Sequence, residues 1–183
     1  MLKGDKVYLC SVSDTNLEQL RTWRNRPDLR KYFREYEEIS EEKQQKWFAK
    51  TNSDKNQVNF EIHDQQTNKL IGDCGLYHIH WAYSTAEFGI FLGDDDYRSK
   101  GCGSDALRIL IRYGFDNLNL NRIWCEVYDN NPSIELYKYL GFQYEGTMKE
   151  HYYDDGRYWD SHLLGMLKSD YLLSCLNKDD KIK

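Results

Sequence analysis

The chain reads as an α/β layer: a mixed sheet, antiparallel except where one long helix crosses over between two strands. Three features carry that expectation. Thr85–Leu92 alternates apolar residues (Phe88, Ile90, Leu92), empties into a polar turn and leads to a helix from Gly103 to Asn117, after which Arg122–Tyr128 is a largely apolar run. A buried strand beside a crossover helix has that character. Two hairpins flank the unit, Gln57–His63 with Lys69–Tyr77 around Gln65–Asn68, and 142–153 with 157–167 around Asp154-Asp155-Gly156. Finally, Leu107, Leu110, Ile111 and Phe115 form one apolar stripe, the face that would pack on the sheet.

In chain order, Lys6–Val12 alternates like a first strand, and Ser13-Asp14-Thr15 offers a cap for a helix carrying Leu17, Leu20 and Trp23. Pro27 ends or jogs that helix. Tyr32–Ser40 is acidic and aromatic, and Ser40 caps a helix over Glu41–Lys50. Glu35, Glu37, Glu38, Glu41 and Glu42 form either a solvated face or a field that draws an ammonium. His78 and His80 share one side of a strand, which makes metal conceivable, yet no Cys, Asp or Glu stands near them in ligand spacing, so no metal is expected. A helix over Pro132–Leu140 ends at Gly141, a C-cap glycine. No repeat or linker is visible. Residues 1–183 are expected to form one domain, with a core over 8–168, a helix over Lys168–Leu176 and a frayed tail over 177–183.

At 183 residues the chain is long enough to bury a substantial core, and its 40% hydrophobic content with 15 tyrosines, 7 phenylalanines and 5 tryptophans excludes disorder. A formal charge of −5 argues against a nucleic-acid surface and permits a cationic acceptor. No apolar run approaches a membrane span and residues 1–6 carry no signal-peptide pattern, so the cytoplasm is expected and no membrane partner. The five cysteines are an odd, scattered set without a C-x-x-C pair, which indicates neither a disulfide framework nor zinc. A homodimer is admitted but not required.

The chemistry concentrates in the turn Arg98, Ser99, Lys100, Gly101, Cys102, Gly103 and Ser104. A helix start carries unpaired N–H groups and partial positive charge, and two glycines let a phosphate approach the backbone. Arg98 and Lys100 add full charges, which suits a pyrophosphate better than one carboxylate. Gly101–Ala106 also fits the dinucleotide fingerprint G-x-G-x-x-A, but the eight residues Gly93–Lys100 separate it from the strand, unlike that fold. A Walker loop is absent, and a plain glycine-rich helix start stays open. At Cys102 the helix terminus and Arg98 would lower a thiol pKa, but without a partner histidine it is read as a small loop residue.

Arg98–Gly103 resembles the [QR]-x-x-G-x-[GA] signature of the GNAT N-acetyltransferase superfamily, and Asn130–Phe142 is similar to its N-x-x-[AS]-x-x-x-Y-x-x-x-G-F segment, at about the family's separation. The resemblance covers about residues 57–168. It implies a single-domain GNAT-like fold: a twisted, mostly antiparallel mixed sheet of about seven strands with helices on both faces and a splayed pair of parallel central strands. It further implies acetyl-CoA as cosubstrate, with main-chain contacts at Phe88, Ile90 and Leu92, the pyrophosphate on Arg98–Ser104, and contacts from Asn130 and Ser133. For Asn130, a role capping the next helix is equally open.

Acetyl transfer from a thioester needs a neutral amine, a stabilised oxyanion and a proton for the departing thiolate. The resemblance puts Tyr137 beside the sulfur, as proton donor, and Glu87 where related enzymes take the amine proton; strand amides near Ile90 would hold the oxyanion. Without the motif, Tyr137 reads as a core aromatic and Glu87 as a solvated strand carboxylate. On the acceptor side, residues 84–168 look similar to spermidine acetyltransferases, whereas Trp23-Arg24-Asn25 with Ile39–Glu42 looks more like amino-sugar N-acetyltransferases. A polyamine, an amino sugar or a protein N-terminus therefore all stand as amine acceptors. The rival expectation is a non-catalytic acyl-CoA-binding domain on the same fold.

Overall fold

The computed structural model describes residues 1–179. Its centre is one eight-stranded sheet in the order β1-β2-β3-β4-β5-β6-β8-β7. The strands are β1 (Leu2–Lys3), β2 (Val7–Ser11), β3 (Val58–Asp64), β4 (Leu70–His80), β5 (Thr85–Leu92), β6 (Arg122–Tyr128), β7 (Gln143–Asp154) and β8 (Arg157–Leu167). The expected count of about seven is corrected to eight by β1, whose two residues are too short to leave an alternation in the sequence. Every pairing is antiparallel except that of β5 with β6, joined by α4 (Cys102–Arg112) and a π-helical turn over Tyr113–Asn117.

The remaining helices are α1 (Leu17–Asn25), α2 (Pro27–Arg30), α3 (Glu41–Thr51), α5 (Ile134–Tyr139) and α6 (Lys168–Asp179). Their ends follow local chemistry. Ser40 accepts from the Lys43 N–H at the start of α3, and Pro27 sits in the first turn of α2, where its missing N–H costs nothing. Asp155 (φ 50°) and Gly156 (φ 79°) form the two-residue turn of the last hairpin, as a left-handed pair must. Of the expected frayed tail, 177–179 continue α6 and 180–183 lie outside the described residues.

Helices cover both faces of the sheet. On one, Ala106, Leu107, Leu110 and Phe115 pack against Leu9, Ile62, Leu76 and Ile123, all with essentially no exposure. On the other, Leu20, Trp23 and Leu29 make a smaller cluster with Phe33 and Phe91. The sheet is therefore a wall between two compartments, and β5 has one side chain in each by turns.

Candidate active site

β5 and β6 pair only at Thr85–Arg122, Ala86–Ile123 and Glu87–Trp124; beyond Glu87 the ladder stops. The β6-facing edge of Phe88–Leu92 is thereby left free, and a strand edge of that kind accepts an extended ligand by main-chain hydrogen bonds. An open cleft of about 1310 Å³ runs along this gap, bounded by β5, β6, the start of α4, α5 and the α1–α3 arm.

At one end lies the glycine turn. Ser99 (φ 58°) and Gly101 (φ +83°) both take left-handed backbone, and Gly101 is the residue immediately before α4. A Cβ at Gly103 would meet a Leu92 methyl at 3.6 Å, an ordinary contact, so a small side chain would fit there and a large one would enter the cleft. Of the residues expected to hold cofactor, Phe88, Ile90, Leu92, Arg98, Ser99, Gly101, Gly103, Ser104 and Ser133 line the cleft. The Arg98 guanidinium hydrogen-bonds the Leu92 carbonyl and pairs with Asp95 (3.0 Å) and Asp28 (3.6 Å), which fixes it at the rim.

Lys100, Cys102 and Asn130 lie outside the lining. The Lys100 carbonyl accepts from the Lys6 ammonium, a cation far away in sequence that the motif did not contain. Cys102 is buried at 4% exposure in the core, and burial pushes its thiol up, the reverse of the expected lowering, because desolvation outweighs Lys6 and Lys100. Asn131, not Asn130, lines the cleft and caps the next segment by accepting from the Ser133 N–H at 2.9 Å.

Tyr137, on α5, lines the cleft at 7% exposure, edge-on to Phe88 with ring centres 5.1 Å apart. Burial and then Cys125 push its phenol well up, with Ser133 offsetting part, so the hydroxyl keeps its proton at neutral pH.

Glu87 is not the solvated strand carboxylate that a residue-level reading allowed. It is 6% exposed and held from two sides: Arg34 binds both oxygens, and His78 Nδ1 lies 2.9 Å from Oε2. The same guanidinium reaches Glu126 at 3.0 Å. His78 has a left-handed backbone (φ 49°) at a bulge between Tyr77 and His80, which turns it to Glu87 while His80 stacks on Tyr83. The two histidines thus do not converge as their spacing suggested.

Other acids complete this side. Asp73 on β4 lines the cleft at 7% exposure, and burial pushes its carboxyl up to about 7, with Arg24 opposing and Glu61 reinforcing the rise. Its Oδ2 and Glu126 Oε1 are buried without hydrogen-bond partners among the described residues. Arg24, on the α1 arm, pairs with Glu35 at 2.6 Å, and Asn25 grips the Ile39 backbone through both amide atoms, which holds loop 31–40 against the cleft. Away from the cleft, Cys10, Glu61 and His63 bring ligand-type atoms within 4.8 Å, a cluster missed because its members stand on two strands. There Glu61 already accepts from the Ser13 N–H, Asn16 and His63.

A sequence profile of the acetyltransferase (GNAT) domain matches residues 6–143. The chain belongs to that family. It is an acetyl-CoA-dependent N-acetyltransferase, and its sheet, with one parallel pair, is the GNAT fold. It is 40% identical over 113 residues to an uncharacterized N-acetyltransferase, p20, of Bacillus licheniformis, an alignment that takes in 61% of this chain and 63% of that one. Identity to the spermidine N(1)-acetyltransferase of Vibrio cholerae is 29% over 170 residues, 92% of this chain and 97% of the relative. A crystal structure of spermidine N-acetyltransferase from Vibrio cholerae with CoA and spermine superposes with a TM-score of 0.85 at 28% identity, covering 91% and 98% of the two chains. A further, dodecameric structure of that protein gives 0.79 at 27%, covering 91% and 96%.

Proposed function

We propose that the enzyme acetylates a primary amine of a polyamine, in a ternary complex with acetyl-CoA, within one domain spanning the chain. The observation that carries the acceptor class is the acidic wall. Glu87, Glu126 and Asp73 sit on cleft-lining strands, largely buried, and the chain's own Arg34 is already drawn in between the first two. A buried carboxylate group of this density repels a carboxylate or phosphate acceptor and favours a multiply charged amine. Similarity to the Vibrio spermidine enzyme over nearly the full length supports the same reading.

The glycine turn and start of α4 hold the pyrophosphate through backbone N–H groups, with Arg98 at the rim; the edge of Phe88, Ile90 and Leu92 holds the pantetheine arm. Acetyl-CoA supplies an acetyl thioester. The amine nitrogen forms a bond to its carbonyl carbon, and amides near Ile90 stabilise the oxyanion. Glu87 takes the nitrogen's proton, and His78, with a side chain 71% exposed, offers that proton a route to solvent. As the carbon–sulfur bond breaks, Tyr137 protonates the sulfur, giving free CoA and the amide. Alignment of the two reactants provides most of the acceleration.

The exposed aromatics Tyr144, Tyr153 and Tyr158 on the last hairpin, and the dodecameric relative, support assembly into a homo-oligomer. No described helix is long and apolar enough to cross a membrane, and we place the enzyme in the cytoplasm, where acetyl-CoA and polyamines meet. The test of the acceptor is release of CoA thiol with spermidine, an N-terminal peptide and an aminodeoxy-sugar nucleotide. Turnover is expected with spermidine; turnover confined to the peptide or the sugar overturns the reading.

A further inference from the structure

Asp73 has a position that the transfer reaction leaves unused. It stands in the middle of β4, a central strand, at 7% exposure, and Oδ2 faces no hydrogen-bond donor among the described residues although the residue lines the cleft. A carboxyl so placed stays ionised at low cost only when a cation joins it, and otherwise takes a proton. The nearest candidate, Arg24 on α1, is engaged by Glu35 at 2.6 Å. Glu61 of β3, directly across from Asp73 in the sheet, adds negative charge to the same neighbourhood. Among the described residues, an ionised Asp73 therefore has no cation of its own.

Its placement relative to Glu87 is fixed by register. Tyr77 pairs with Glu87, Gly75 with Gly89 and Asp73 with Phe91, so Asp73, Tyr77 and Glu87 share one face of the sheet. Four residues separate the row of Glu87 from that of Asp73, about 13 Å along an antiparallel ladder. Between the rows lies the Tyr77 ring. A Cβ on Gly75 or on Gly89 would come within 2.9 Å of it, so the two glycines let the ring lie flat on the sheet, its hydroxyl end over Gly75 toward Asp73. An aromatic floor with a carboxylate at each end suits a methylene chain with a cation at each end.

We propose that Asp73 is the anchor for the second ammonium of a linear diamine or polyamine acceptor, and that its distance from Glu87 selects the chain length. This inference rests on the polyamine reading above and adds a residue to it. The acceptor's near nitrogen lies at Glu87 beside the thioester, its methylenes lie over Tyr77, and its far ammonium pairs with Asp73.

The test is kcat/KM, from CoA thiol release, for linear α,ω-diamines of increasing length, with a monoamine of each length as internal reference. Wild type, Asp73→Asn and Asp73→Leu are compared after thermal melting and CoA calorimetry show that each is folded. In the wild type the diamine-to-monoamine ratio is expected to rise to an optimum at the length that spans the two rows. In both variants that ratio is expected to fall tenfold or more and the optimum to flatten. A flat profile in the wild type, or an optimum that survives in the variants, overturns the anchor while leaving a polyamine acceptor standing. Wild-type turnover with peptide or amino sugar and with no diamine overturns the acceptor reading and the anchor together.

Discussion

On one face of β5, Phe88, Ile90 and Leu92 turn toward α4 and α5; on the other, Glu87 and Phe91 turn toward α1–α3 and loop 31–40. The first face belongs to the half we propose for the cofactor, assembled from neighbours in sequence. Strand, turn and helix start follow one another over residues 85–104, and the geometry of the turn is set by two left-handed backbone positions, Ser99 and Gly101. The acceptor half is assembled from five separate pieces of chain: Arg24 of α1, Arg34 and Glu35 of the loop, Asp73 and His78 of β4, Glu87 of β5 and Glu126 of β6. A diphosphate is the same in every reaction of this type, so a contiguous turn suffices for it. An acceptor varies, and a site whose charges come from several elements can be altered one element at a time.

Substitutions on the two faces should separate cofactor binding from acceptor use. Gly103→Trp is expected to have the largest effect: the indole fills the space beside Leu92 at the helix start, and CoA affinity by calorimetry should drop at least about 100-fold. Unchanged affinity would move the pyrophosphate elsewhere. Tyr137→Phe removes the proton donor and keeps the edge contact with Phe88. We expect kcat lower by about 10²-fold with CoA affinity within about twofold, whereas a loss of affinity alone would make the tyrosine a packing residue.

Asp73→Asn probes the cost of keeping an acid on the acceptor face. The folded carboxyl, pushed by burial up to about 7 from the ordinary carboxylate range, holds its proton more tightly than the unfolded one. Its stabilising contribution is therefore complete at low pH and lost as pH rises through about 7. Wild type and variant should melt alike near pH 4, and the variant should be more stable at pH 8 by on the order of 2 kcal/mol, below the limit set by the full shift. A difference in Tm that does not change with pH would contradict this. The smallest expected effect on turnover is at Arg34, whose side chain is half exposed although the Glu87 and Glu126 carboxylates it joins are buried. Arg34→Gln should lower the KM for a polyamine by about threefold, an advantage that fades at high salt; a raised KM would instead make Arg34 part of the acceptor's grip.

The cofactor half was legible because its signals are local. The alternation of Phe88, Ile90 and Leu92, the glycines at 101 and 103 and the stripe on α4 all fall within about thirty residues. The departures there have tertiary causes: Cys102 turns into the core, Lys6 arrives from β2's edge, and Asn131 takes the capping role read for Asn130. For the acceptor half one usable signal was passed over, a lone charge, Asp73, inside the apolar run Leu70–Leu76 of a central strand. His78 was seen but paired with the wrong partner, since the bulge that aims it at Glu87 breaks the strand period on which the pairing relied.

By itself, the sequence determined the α/β order of elements, the Ser40 cap, the Asp155-Gly156 turn and the glycine turn ahead of α4, since each depends on contacts within a few residues of chain. The tertiary structure decided which charges meet. Arg34 lies 53 residues from Glu87 and 92 from Glu126, and no periodicity links them; only the register of the sheet and the fold of the arm bring a guanidinium between two buried carboxylates and leave a third, Asp73, without one. Electrostatic energy in a low-dielectric cleft depends on separation in space, and separation along the chain does not encode it.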